Sequence, residues 1–339
     1  MPTLRAATDR IVPAAGAGTR ARRFARVRHT PVLAKHGTGQ GLGIGLGLLS
    51  AMCFGTSGTF GTALEGSGWS PAGAVLARVC VAALALTVPA LFALRGRWSL
   101  LRRSARQVVA YGLIGVAACQ VCYFNAIERM DVGISILLEY LGIVFIVGWL
   151  WVRHGQRPRP LTVIGGLAAL GGLALMLNLS GSGGVSLTGV LFALAAAVSM
   201  AVYFFQSAAT SASDGGDALP AVALTWGGMV TGGAFIALVG AMRIMPLRFS
   251  SASVTLLNAR VNWLLPVLGL GVLAAAIAYV TGIAAARRLG AKLGSFVAMA
   301  EVLFAAGFAW LLLHQAPTTM QFLGGLLILA GVVTVRLDE

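Results

Sequence analysis

A chain of 339 residues with 58% hydrophobic and 10% charged residues, at a mean hydropathy of +0.87, lacks the surface of a soluble domain, which carries about 25% charged residues. Its formal charge of +15 does not point to nucleic acid. Nearly all Lys and Arg sit in an N-terminal tail or in short gaps between apolar runs, which is how charge anchors a membrane protein.

Residues 1–41 form the basic tail, with eight Lys or Arg against a single Asp9. No apolar run in it is long enough for a secretory signal, and it reads as a disordered cytoplasmic extension. A span needs about 20 mostly apolar residues. Ten runs follow the tail: 42–63, 70–94, 107–127, 132–152, 160–178, 186–208, 219–242, 263–286, 291–313 and 318–336. The expected fold class is an all-α integral membrane protein with ten transmembrane helices, five in 42–178 and five in 186–336. The short connections leave no room for a soluble catalytic domain.

Positive charge orients the first half. The loop near 95–106 has five arginines and that near 153–159 has three, while 64–69 has none and 128–131 only Arg129. Both termini are then cytoplasmic in a bacterial inner membrane. The second half is less tidy: the inner loop 209–218 has no Lys or Arg, whereas the outer loop has Arg243, Arg248 and Arg260. Arg287, Arg288 and Lys292 support the assignment.

The chain also repeats itself. The stretch from Ala126 onward overlays the stretch from Ala285 onward at a constant offset of 159 positions, without gaps. Arg129 falls on Arg288, Phe145 on Phe304, Trp151 on Trp310 and Gln156 on Gln315; Gly165–Gly166 falls on Gly324–Gly325 and Gly172 on Gly331. Two related units of five spans, an odd number, must lie upside down relative to each other. An inverted-topology repeat is the usual plan of a solute carrier with its site at the repeat interface. Gly41, Gly43, Gly45 and Gly47, and Gly228 with Gly232, supply small-xxx-small pairs suited to close helix packing.

Cys53, Cys80, Cys119 and Cys122 all lie in apolar runs and read as small packing residues, including the C-x-x-C of Cys119 and Cys122. The histidines (His29, His36, His154, His314) are dispersed. No metal, cofactor or catalytic residue is expected, and no Walker motif supports ATP-driven pumping.

The stretch Asn125–Met176, which contains "VGISILLEYLGIVFIVGWLW", and the stretch from Ala284, which contains "LGSFVAMAEVLFAAGFAWLL", resemble the repeat of EamA-type carriers of the drug/metabolite transporter superfamily. With the ten-span layout, the resemblance covers everything after about residue 42. It implies a ten-helix carrier, working as a monomer or homodimer, that exports or exchanges amino acids, related metabolites or drugs through a central cavity. The chain departs from the family pattern at Ile143 and Val302, where a proline is usual, which removes the sequence reason for a helix break there. Gln156 and Gln315 replace an acidic residue, which marks that loop acid as structural or interchangeable rather than coupling.

Three ionisable residues interrupt the spans: Arg78, Glu139 and Glu301. Each costs about 2.5–3.5 kcal/mol at a helix centre and needs a partner or a wet face. At a rise of about 1.5 Å per residue, Arg78 lies about 12 Å and Glu139 about 10 Å from the outer ends of their helices. These depths permit an Arg78–Glu139 ion pair, and Arg78 reads as either a charge-paired scaffold residue or a carboxylate ligand. Glu139 fits the family's "LLEYL" pattern and either pairs with Arg78 or exchanges protons. Glu301 has no predicted basic residue at its depth. It is the strongest candidate for proton coupling, against a neutral hydrogen-bonding role. Gln120, Tyr123 and Asn125, Tyr203 and Gln206, Trp226 and Tyr279 are further polar candidates on the cavity helices, Asn125 and Tyr123 toward the outer end and Tyr203 and Gln206 toward the inner.

The expected function is a secondary transporter of a small metabolite, a proton-coupled exporter. The alternative is an uncoupled facilitator or exchanger of a metabolite or sugar-nucleotide type solute. An intramembrane enzyme and a scaffold are remote alternatives. The expected partners are a small-molecule substrate, the lipid bilayer and protons.

Overall fold

The computed structural model describes residues 38–130, 132–177, 186–209, 218–257, 259–313 and 316–338. Most of the basic tail, most of the predicted inner loop 209–218, and Gln315 lie outside these residues.

Among the described residues the helices are α1 (Thr38–Gly55), α2 (Ser57–Glu65), α3 (Pro71–Ala93), α4 (Trp98–Arg103), α5 (Ala105–Ala110), α6 (Cys119–Ile127), α7 (Val132–Tyr140), α8 (Gly142–His154), α9 (Pro160–Met176), α10 (Leu187–Ala209), α11 (Ala221–Ala241), α12 (Leu264–Leu268), α13 (Ala278–Ala298), α14 (Ala300–Leu313) and α15 (Thr319–Leu337). Wider π-helical turns, Tyr111–Ala118 and Gly269–Ile277, run into α6 and α13. Eight helical stretches are long and apolar enough to cross a membrane. The predicted fifth and ninth spans appear as shorter apolar helices, α9 and α14. The protein is a helical, multi-pass membrane protein, and length alone yields eight spans rather than ten.

One helical run, Leu264–Ala298, contains the whole predicted eighth span and the start of the ninth. It is two helices joined at Gly290, whose φ of 77° and ψ of 170° are open to glycine and closed to side chains. The expected all-helical chain also carries a small ribbon, β1 (Val254–Leu256) paired antiparallel with β2 (Ala259–Val261), with Val254 opposite Val261.

The loop carrying this ribbon is fastened to the start of α3. Ser70 accepts from Gly73 N at 3.1 Å and from Arg248 N at 2.9 Å, and Trp69 Nε1 donates to Ser250 O at 2.7 Å. Pro71 then occupies the first helical turn, where its missing N–H costs nothing. Ser70→Ala removes the cap and leaves the Arg248 N–H without its acceptor. The variant is expected to lose about 1–2 kcal/mol of stability, and a thermal melt of the purified protein measures it.

The predicted continuous helices across 132–152 and 291–313 are each broken, without a proline. Leu141 and Met299 leave the α-helical ladder through single tight turns, Leu141 N bonding Leu138 O at 3.2 Å and Met299 N bonding Phe296 O at 3.1 Å. Such i→i+3 turns are the tighter 3₁₀ geometry. At the first break Gly142 presses on α10, where a Cβ would stand 2.6 Å from Ala197 O.

α9 and α15 form the most intimate pair. A Cβ on Gly172 would stand 2.5 Å from Gly324 O, and one on Gly165 would stand 2.7 Å from Gly331 O. At the offset of 159, Gly165 corresponds to Gly324 and Gly172 to Gly331, so each glycine meets the counterpart of the other. The π-helical turns fall at equivalent places too, with Gly112 corresponding to Gly271. In α1, Gly43 and Gly47 pack on α13, whereas Gly41 and Gly45 face open space. Only one of the two small-residue pairs predicted there is therefore a packing seam. At the end of the bundle that holds the termini, the buried Asp338 carboxylate accepts from Thr162 N and from the Thr162 hydroxyl, while Arg159 Nη1 donates to Asp338 O. That clasp caps the start of α9 with the end of α15.

Candidate functional site

A cavity of about 570 Å³ lies where α1, α3, α6, α7, α10, α13 and α14 converge. It reaches Leu177 and Gln321, at the end of the bundle opposite the termini. Toward the terminal end a column of rings backs it: Phe54 to Tyr279 at 5.0 Å, Tyr279 to Tyr203 at 5.6 Å and Tyr203 to Tyr111 at 5.7 Å.

Arg78, Gln120, Tyr123, Glu139, Tyr203, Tyr279 and Glu301 all line this cavity. The three other candidates do not. Asn125 is engaged with its own helix, donating to Val121 O and accepting from Arg129. Trp226 Nε1 donates to Thr87 Oγ1 at 3.1 Å. Gln206 points its Oε1 into a buried spot without a partner, and its carbonyl accepts from Gln107 at 3.4 Å. Residues near the right depth thus separate by azimuth, which depth alone cannot assign.

The anticipated Arg78–Glu139 ion pair does not form. Arg78 Nη2 instead donates to Ala274 O at 2.8 Å, and its guanidinium lies 5.6 Å over the Phe54 ring, within cation–π range. Ala274 sits in the second π-helical turn, whose wider winding re-aims carbonyls away from the α-helical ladder. A backbone dipole and a ring face hold the guanidinium, and neither neutralises its charge. Arg78 also shares the cavity with Glu301, so Glu301 does have a basic residue in its surroundings, contrary to expectation.

Glu139, in the last turn of α7, accepts from the Cys119 thiol at 3.2 Å. Glu301 stands in the first turn of α14, and the Tyr140 hydroxyl approaches it. Each carboxyl therefore flanks one of the two helix breaks. Among the described residues, no ion pair within 4.0 Å involves Glu139 or Glu301. With two carboxyls, one guanidinium, four tyrosines and Gln120 and Gln321 among its lining residues, the site can hold a small polar molecule carrying charge of either sign.

Cys119 and Tyr140 were not among the predicted site residues. Cys119 reads as packing when taken alone, but it stands four residues before Tyr123 and so shares its helix face. Tyr140 adjoins Glu139 in sequence, and its hydroxyl approaches the other carboxyl.

The profile of the EamA-like transporter family matches residues 41–178 and again 187–337. The chain is 24% identical over 242 residues to the uncharacterized inner membrane transporter YicL of Salmonella typhimurium, covering 70% of this chain and 75% of that protein. A solved crystal structure superposes with a TM-score of 0.68 at 21% identity, over 88% of this chain and 98% of its own, which shows the same fold. With both family matches spread along nearly the whole helical bundle and enclosing every cavity-lining residue, the chain belongs to the EamA-like transporter family and is a membrane transporter.

Proposed function

We propose that the protein is a ten-helix secondary carrier, two five-helix units in inverted orientation, that exports a small metabolite against proton entry across a bacterial inner membrane. The observation that carries this reading is the meeting of Arg78, Glu139 and Glu301 in one cavity of metabolite size, within the 300–1,000 Å³ typical of ligand sites. A zwitterion such as an amino acid fits it, its carboxylate toward Arg78 and its ammonium toward a glutamate.

The reciprocal glycine contacts of α9 and α15, the equivalent π-helical turns and the two family matches all support the inverted pair of units. α9 and α14, the short apolar helices, complete the count of ten. With the termini in the cytoplasm, as the arginine-rich loops of the first half favour, the cavity faces outward and the aromatic column closes the inner side. Inner-membrane placement is also what the Salmonella relative's name describes.

Proton coupling follows from the two carboxyls. With no basic side chain within ion-pair distance, neutralising either one falls to a cationic group of the substrate or to a proton. Glu301 stands at the helix break in the second unit and is the coupling residue in this reading.

The test compares extracellular metabolites of cells overproducing the wild type with cells producing equal amounts of Glu301→Gln. A solute enriched outside with the wild type alone is the expected result, naming substrate and direction together. Equal enrichment by both would remove Glu301 from coupling and favour an uncoupled facilitator or exchanger. No enrichment with either would sink export.

A further inference from the structure

A second cavity, of about 170 Å³, opens on the outer side of the bundle and takes no part in the proposed transport path. Ile44 and Leu48 of α1, Leu293 and Val297 of α13, Leu303 of α14, and Val332 and Val333 of α15 are among its lining residues. α1 packs on α13 and α14 while α15 packs on α9, so a furrow stays open between α1 and α15.

All its lining side chains are apolar except Arg336, which stands exposed in the last turn of α15. Arg336 has no hydrogen-bonding or ionic partner among the described residues. Across the furrow Gly43, the residue before Ile44, packs on Cβ of the exposed Arg288. Arg288 Nη1 turns back to donate to Ala284 O at 2.7 Å, which leaves Arg336 as the basic side chain lining the furrow.

We propose that this furrow binds one acyl chain of an anionic phospholipid, with the lipid phosphate held by Arg336. A dry furrow left empty forfeits dispersion contacts along both walls, and in a bilayer the group that fills it is a hydrocarbon chain. The planar guanidinium fork matches phosphate oxygens and makes short, charge-assisted hydrogen bonds to them. Basic residues at the mouth of a pocket between transmembrane helices recognise anionic headgroups in this way. A zwitterionic headgroup carries its own ammonium beside the phosphate and gains less.

The test uses the full chain, stripped of lipid in detergent, and reads its melting temperature with phosphatidylglycerol or phosphatidylcholine of identical acyl chains. Phosphatidylglycerol is expected to raise the melting temperature by about 5 °C more than phosphatidylcholine at saturation. Arg336→Gln should erase that difference, and Val333→Trp, which fills the furrow, should remove the response to both lipids. Inorganic phosphate at the same concentration should give no shift. The proposal is overturned if Arg336→Gln keeps the full phosphatidylglycerol effect, if the two lipids act alike on the wild type, or if phosphate alone reproduces the shift. Arg336 is exposed, so its variant remains informative even if Val333→Trp fails to fold, and the readout does not depend on transport.

Discussion

Gly172→Leu is expected to abolish the folded protein, whereas Gly171→Leu, one residue away, is expected to be tolerated. A Cβ at 172 would stand 2.5 Å from Gly324 O and 2.8 Å from Ile328 N, both backbone atoms of α15 that cannot rotate aside. At 171 a Cβ meets nothing within 4 Å. Overpacking usually costs about 1–3 kcal/mol, and a clash of backbone on backbone belongs at the upper end or beyond. In a bilayer the pair has no hydrophobic drive to compensate, since lipid tails solvate apolar faces equally well, and close approach at small residues is what holds the helices together. Size-exclusion profiles of the two variants, produced side by side, decide the matter. Comparable monodisperse peaks would mean that α9 and α15 are not locked together at this contact.

Arg78→Gln should leave the fold intact and cut transport by about 10- to 150-fold. That range corresponds to one lost charge-assisted hydrogen bond of about 1.5–3 kcal/mol. Arg78→Lys should not restore transport. An ammonium is a compact point charge whose three N–H groups diverge from one atom, so it lacks the planar fork with which a guanidinium holds Ala274 O through one nitrogen and faces the cavity with another. Export rate normalised to protein in the membrane, together with the melting temperature, separates the two roles. A scaffold residue would lower stability and transport together, while a ligand would lower transport alone. Full activity in Arg78→Lys would show that only the positive charge matters.

The parts of this fold legible in the sequence are those that depend on composition along the chain. Apolar runs mark the helices to within a few residues: 70–94 is Pro71–Ala93 and 219–242 is Ala221–Ala241. The gapless offset marks Gly165, Gly172, Gly324 and Gly331 as counterparts, and the structure turns that correspondence into contact. Depth along a helix is legible in part: it brought Arg78 and Glu139 to comparable levels, but it left Glu301 without a basic residue at its depth, whereas Arg78 shares its cavity.

Direction around the helix axis is not legible. Asn125 and Tyr123 are two residues apart, about 200° around a helix, and only Tyr123 faces the cavity. The Arg78–Glu139 pair failed for the same reason, compounded by an acceptor with no side-chain signature. The carbonyl of Ala274 becomes Arg78's partner through a π-helical turn that no residue type announces. The breaks at Leu141 and Met299 are equally silent, since the usual signal is a proline and tight turns accomplish the bend without one.

Taken as the fifth span of the proposed ten, α9 has a length with a consequence for the surrounding bilayer. Its 17 residues span about 25 Å at 1.5 Å per residue, against a hydrocarbon core about 30 Å thick. α15, bound along it, has 19 residues, or about 28 Å. Because their glycines hold these two helices to each other, neither can slide to make up the difference, and the shortfall passes to the lipid. Acyl chains on this flank must shorten or disorder, at a cost of a fraction of a kcal/mol per Å, while the longer helices opposite demand full thickness. The protein therefore imposes a lopsided thinning on its membrane, which makes bilayer thickness, alongside pH and solute gradient, a variable that sets how readily it works.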